Sequence, residues 1–164
     1  MLKTLLLVLL VLLFAIPVAV MFVGRERAWT LVAGPADLGR YDFAAERRRG
    51  AGNDALACTN GVCASPDLPI ANTTLEPAAA IEAAEERLRQ VERFVERVDD
   101  GSDPTYARFV VRTPLMRFPD TVDLLAGTSP SGETWLKAYS RSKLGRSDLG
   151  ANRRRLVALF GAPL

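Results

Sequence analysis

Arg141-Ser142-Lys143-Leu144-Gly145-Arg146-Ser147-Asp148-Leu149-Gly150-Ala151-Asn152-Arg153 is the densest polar stretch of this 164-residue sequence. It reads as a strand running through a loop into a helix. Backbone N–H donors would then converge at the helix start, where Arg141, Lys143 and Arg146 add positive charge. A phosphate or carboxylate needs such a setting. The same residues also suit a brace, with Ser147 or Asp148 capping the helix and the arginines pairing with Asp148 and Asp120. A second cluster, Arg112-Thr113-Pro114-Leu115-Met116-Arg117-Phe118-Pro119-Asp120, reads as a turn between two strands. Arg112, Arg117, Asp120 and Arg141 would share one surface if the first of three expected strands lay near the third.

Catalysis finds little support. Histidine is absent, which removes Ser-His-Asp and Cys-His pairings, His-ligated metals and the usual pH switch. Asp120 and Asp123 are near neighbours on or beside one strand, a weak basis for paired-carboxylate hydrolysis. No glycine-rich phosphate loop is present, and a serine near Lys143 would need a lysine base. The candidate set is therefore a binding set: Arg112, Arg117, Asp120, Arg141, Lys143, Arg146, Asp148, Asn152 and Arg153, with no catalytic residue, metal or cofactor assigned. With 21 Lys and Arg against 19 Asp and Glu, a net charge of +2 argues against a nucleic-acid face.

Cys58 and Cys63 are the two cysteines of the chain. They bracket the turn-like Thr59-Asn60-Gly61-Val62, where a disulfide could close a small loop; two free thiols are the alternative. Two cysteines without histidine do not make a four-ligand zinc site, and the spacing is not Cys-x-x-Cys. A disulfide would place the domain outside the cytoplasm.

The elements that must position these residues begin with an apolar run. Leu5 to Val23 is apolar throughout and is closed by Arg25, Glu26 and Arg27; at about 1.5 Å per residue it reaches nearly 30 Å, enough to span a bilayer. A cleaved signal peptide is the competing reading, favoured by Lys3 and Pro17-Val18-Ala19 but opposed by the length of the run. Residues 1–24 are thus expected to be a single-pass anchor, with Trp29 at the interface. Residues 25–75 read as an extended arm or linker broken by Gly34-Pro35, Gly39, Gly50-Ala51-Gly52 and Ser65-Pro66. Within it, Arg47-Arg48-Arg49 is either a solvated charge run or a contact to anionic headgroups.

Residues 76–164 are expected to form the globular domain. A helix is expected from Pro77 to Val98, because Ile81, Ala84, Leu88, Val91, Val95 and Val98 recur every three or four residues. Alternating strands over 105–113, 118–126 and 133–142 follow, then a helix from near Asp148 to Gly161. The order α-β-β-β-α predicts an α+β fold, an antiparallel sheet of three to four strands with helices packed on one face.

Three blocks together carry a resemblance. Asn53-Asp54-Ala55-Leu56-Ala57-Cys58 with Gly61-Val62-Cys63, then Leu115 to Asp120, then Tyr139 to Ser142 with Gly145 to Arg153, resemble the bacterial domain-of-unknown-function family 1499 over about residues 50–160. The last block is the most specific. The resemblance implies an envelope-directed or membrane-anchored protein and singles out Arg117, Asp120, Arg141, Gly145, Asp148, Asn152 and Arg153. It implies no activity. The resulting expectation is an uncharacterised, non-enzymatic envelope protein, single-pass in the inner membrane with its C-terminal domain periplasmic. Its partners would be the membrane and an anionic small molecule or lipid headgroup. The alternatives are an enzyme of unrecognised type using the Arg/Asp cluster, or a structural and interaction module.

Overall fold

The computed structural model describes residues 1–161, apart from the side chains of Leu7, Leu12, Phe14 and residues 16–22. The chain divides into two compact units, Met1–Pro35 and Ala36–Leu164. The first holds helix α1, Leu2–Val23, and after Gly24 helix α2, Arg25–Ala33. Among the described residues no helix is long and apolar enough to cross a membrane. The span expected over Leu5 to Val23 is therefore not shown, and its side chains at 16–22 lie outside the described residues.

The second unit is built on a six-stranded sheet: β1 (Asp54–Thr59), β2 (Leu68–Ile70), β3 (Val95–Arg97), β4 (Tyr106–Arg112), β5 (Pro119–Thr128) and β6 (Thr134–Ser142). The spatial order is β2-β1-β6-β5-β4-β3. Neighbours pair antiparallel except β1 with β2, which are parallel. Helix α3, Pro77–Val91, and helix α4, Ala151–Phe160, complete the unit.

The α+β class and the three central strands agree with the sequence reading, but the sheet has six strands rather than three to four. The extra ones come from two places. The segment expected as an irregular arm contains α2, β1 and β2, and the end of the expected 77–98 helix is instead strand β3. Helix α3 stops at Val91 because Glu92 is already extended (φ −120°, ψ 131°), and Val95 then pairs with Val111 on β4. Helix α4 starts at Ala151 rather than Asp148, since Asp148 accepts from its first N–H groups instead of joining it.

Both sheet faces are covered. On the first, Ile81, Ala84 and Leu88 of α3 and Leu156 and Leu159 of α4 pack on Ala55, Ala57, Phe109, Val111, Val122, Leu124, Leu136 and Ala138. Burying each large apolar side chain contributes roughly 1.5–3 kcal/mol. Neither α3 nor α4 contributes to the cluster on the second face. There a strap of chain from Asp37 to Glu46 lays Tyr41 and Phe43 against Leu56, Cys58, Tyr106 and Tyr139. The Tyr41 and Tyr139 rings lie 4.0 Å apart, centroid to centroid. Five of the six residues of β1 are buried, and Cys58, on that strand, forms the disulfide with Cys63.

Candidate functional site

The candidate residues divide between opposite faces of the sheet and one of its ends. Strand register forces this: Asp120 pairs with Ser142 and Thr121 with Arg141, and successive residues of a strand point to opposite faces. Asp120 faces the helices, whereas Arg141 faces the strap. Moreover β5 lies between β4 and β6, so the first and third expected strands are not neighbours. The single surface expected for Arg112, Arg117, Asp120 and Arg141 therefore does not form.

On the helix face, Arg155 and Asn152 hold the polar network together. The Arg155 guanidinium is almost wholly buried and donates to Asp120 Oδ2 at 2.9 Å, Glu92 Oε1 at 2.7 Å, Ser140 Oγ at 2.8 Å and Asn152 Oδ1 at 2.7 Å. It thereby ties α4 to β5, β6 and the end of α3. Asn152 is fully buried, and its Nδ2 donates to the Asn53 carbonyl, Ser142 Oγ and Asp148 Oδ2. Asn53 Nδ2 in turn donates to the Gly145 carbonyl at 2.8 Å, fastening the β6–α4 loop to the chain just before β1. Burial pushes the Asp120 carboxyl up, and the Arg155 charge pulls it partly back. For Asp148, desolvation is outweighed by the N–H groups of Asn152 and Gly150 and the Asn152 amide, which hold its carboxyl below the usual range.

On the strap face the centre is Asp123, which has no exposed surface. It accepts from Tyr106 Oη at 2.6 Å, Tyr41 N at 3.0 Å and Arg141 Nη2 at 3.1 Å. Arg141 also donates to the Gly39 carbonyl, and its guanidinium lies 5.5 Å from both the Tyr41 and Tyr139 ring centroids. Further along the strap, Arg108 pairs with Asp37 at 3.0 Å and Lys137 with Glu46 at 3.2 Å. Burial raises the Asp123 carboxyl against the pull of Tyr106, the Tyr41 N–H and Arg141. Tyr139 donates to Asp54, which also takes Arg48 at 2.6 Å. Desolvation of Asp54 is outweighed by these partners, leaving its carboxyl below the usual range.

The other candidates lie at the end of the sheet where β4 leaves and β5 enters. Arg112 pairs with Glu96 at 3.0 Å. Arg117 places its guanidinium 3.1 Å from the Phe94 ring centroid and adopts a left-handed backbone, φ 59°. Lys143, Arg146 and Arg153 form no ion pair among the described residues; Arg146 and Arg153 are exposed.

A cavity of about 280 Å³ opens here between the β4–β5 turn and the β6–α4 loop. Phe118, Pro119, Leu144, Leu149 and Ala151 supply its apolar lining; Thr113, Asp120, Ser142, Gly145, Ser147 and Asp148 supply the polar part. Of the candidate set, Asp120 and Asp148 line it and the arginines do not. Among the described residues no group of His, Cys, Asp and Glu could hold a metal ion.

Several residues of these networks lie outside the candidate set: Arg155, Asn53, Glu92, Asp54, Tyr41, Tyr106 and Tyr139, although Asn53, Asp54 and Tyr139 stand in the blocks that carry the resemblance. Arg155 carries a usable signal. Asn152, Arg155, Leu156 and Leu159 are the buried residues of α4, and their spacing of three and four marks one helix face.

The family model described as "Protein of unknown function (DUF1499)" matches residues 53–162. That region holds the helix-face network, the cavity and the sheet residues of the strap-face network, and leaves out the strap itself. No curated protein and no solved structure matches the chain. With well over half its length under that match, the chain belongs to the DUF1499 family of proteins of unknown function.

Proposed function

We propose that this protein is a membrane-tethered, non-enzymatic binding domain of the bacterial envelope. Its apolar N-terminal helix is the tether, its globular unit faces the periplasm, and the cavity between the β4–β5 turn and the β6–α4 loop takes a small amphiphile. The apolar part of the ligand packs on Phe118, Leu144 and Leu149, and its acidic group points out of the cavity, away from Asp120 and Asp148 of the lining, toward Lys143 and Arg146 of the same loop. The observation that carries this reading is the cavity itself: Phe118, Pro119 and Asp120, with Ser142, Gly145, Ser147 and Asp148, bring two separate sequence blocks to one opening. The Cys58–Cys63 disulfide supports the periplasmic side, because such bonds persist in oxidising compartments. The run from Leu5 to Val23, nearly 30 Å long as a helix, supports the tether.

Native mass spectrometry of the full chain extracted in detergent tests the reading. A co-purified lipid or metabolite adduct is expected on the wild type, and it should be lost when Ala151→Trp fills the cavity without lowering the melting temperature. A wild-type chain free of adducts, or an adduct that Ala151→Trp leaves unchanged, would overturn it. The second reading is a purely structural module. It is favoured by the closure of the Arg155–Asp120 and Arg141–Asp123 pairs within the fold, and it predicts no adduct.

A further inference from the structure

Every polar side chain of the cavity wall can accept a hydrogen bond: the hydroxyls of Thr113, Ser142 and Ser147 and the carboxylates of Asp120 and Asp148. Among the described residues no Lys, Arg, Asn or Gln side chain lines it. The backbone donors at the start of α4 are spent within the loop. Leu149 N donates to Ser147 Oγ, Gly150 N and Asn152 N to the Asp148 carboxylate, and Ala151 N to the Asp148 carbonyl. The convergence of N–H groups that an anion needs at a helix start is therefore closed by the chain itself.

The two carboxylates differ in charge balance. Asp120 is buried and paired with Arg155. Asp148 has no ion pair among the described residues, and its donors are neutral: Gly150 N on Oδ1, Asn152 N and Asn152 Nδ2 on Oδ2. These partners hold its carboxyl below the usual range, so it is charged at neutral pH. A carboxylate accepts at about four positions, which leaves one open on Oδ1. The wall thus carries an uncompensated negative charge beside the apolar surface of Phe118, Leu144 and Leu149. Ligand pockets span roughly 300–1,000 Å³, and at about 280 Å³ this one takes one end of a molecule.

We propose that the cavity recognises a primary ammonium: its ligand is a zwitterionic amphiphile whose ammonium donates to Asp148 Oδ1 and whose acidic group lies toward Lys143 and Arg146. This rests on the cavity being a ligand site and adds the ligand's chemical class. An ammonium has three N–H donors and no acceptor, which matches a wall of carboxylate and hydroxyl oxygens. Its charge-assisted bond to Asp148 is roughly twice as strong as a neutral one. An aminophospholipid headgroup and a free phosphate ester of an amino alcohol share this chemistry.

The test is native mass spectrometry of the full chain in detergent, with phosphatidylethanolamine, phosphatidylcholine and phosphatidylglycerol of the same acyl chains added in equal amounts. All three carry a phosphate, and only phosphatidylethanolamine has an ammonium with N–H donors. Its adduct should exceed each of the others by about tenfold, the lower end of what a hydrogen bond to a charged group supplies. Ala151→Trp should remove that excess. Asp148→Asn keeps an acceptor for the α4 N–H groups but drops the charge, and should bring the three lipids to parity below its melting temperature. O-phosphoethanolamine, which has no acyl chains, separates the sources: displacement of the lipid adduct at equal concentration supports a free metabolite, and no displacement supports a lipid. A phosphatidylglycerol or phosphatidylcholine adduct as abundant as that of phosphatidylethanolamine, a preference that survives Asp148→Asn or Ala151→Trp, or no adduct from any of the three would each overturn the proposal. The two readings fail separately, because a phosphatidylglycerol adduct that Ala151→Trp abolishes leaves the cavity a ligand site and sinks only the ammonium.

Discussion

Replacing Arg155 by methionine removes the guanidinium that joins α4 to the sheet while keeping much of the side-chain volume. Four hydrogen bonds are lost, but they do not weigh equally. Glu92 is partly exposed, so water can solvate its carboxylate once the partner is gone. Asp120 cannot be rescued in this way: its side chain is 4% exposed, and an uncompensated buried charge costs about 3–5 kcal/mol. At about 4 °C per kcal/mol for a unit of this size, the melting temperature should fall by about 12–20 °C. Thermal melts followed by circular dichroism, with urea titrations of the same detergent-extracted chain, measure the loss. A second substitution sharpens the test. Asp120→Asn in the Arg155→Met background removes the orphaned charge and should restore at least 1 kcal/mol, a coupling that a double-mutant cycle isolates. The reasoning fails if Arg155→Met costs less than about 1 kcal/mol, or if Asp120→Asn makes the variant worse.

On the strap face, Arg141→Met should cost about 3 kcal/mol by leaving Asp123 without its counter-charge. Faster hydrogen exchange should appear first at Leu38 and Tyr41, whose N–H groups bond to Thr121 and Asp123. Replacing both Cys58 and Cys63 by serine should lower stability by about 2 kcal/mol on the chain-entropy estimate for so short a loop, read as a lower urea midpoint; an unchanged midpoint would contradict it. The folded Asp148 carboxyl lies below its usual value, so its contribution is complete above the unfolded value of about 4 and is lost as pH falls through the folded one. The stability gap between wild type and Asp148→Asn should therefore narrow between pH 6 and pH 3, and a gap that widens would reverse the sign.

How much the sequence discloses depends on whether a pattern has one exposed side. Strands β4, β5 and β6 show enough alternation to be located within a residue or two, and Pro77 marks the start of α3. Strand β1 shows none, because the strap and the helices bury both its faces and Ala55-Leu56-Ala57-Cys58 becomes a continuous apolar run. The spacing of Val91, Val95 and Val98 fits a continued helix as well as it fits a cap followed by an edge strand. At the polar residues the types were legible but the partners were not. Arg141 and Asp120 look like a pair until the register assigns them to opposite faces. Within Arg153-Arg154-Arg155, only helical spacing distinguishes the buried arginine from its exposed neighbours.

The strap has a consequence for the order of folding. Its anchors are remote in sequence: Tyr41 bonds to Asp123 across 82 residues, Lys137 to Glu46 across 91 and Arg141 to Gly39 across 102. Although made early, residues 37–46 have nothing to dock on until β5 and β6 exist. Contacts of such long separation carry the loop-closure cost before any return and slow folding. Until then one face of the sheet, with Tyr106, Tyr139 and Leu56, stays open to water. The strap is thus the last piece to lock, and the first to release in a partial unfolding that leaves the helix-covered face intact.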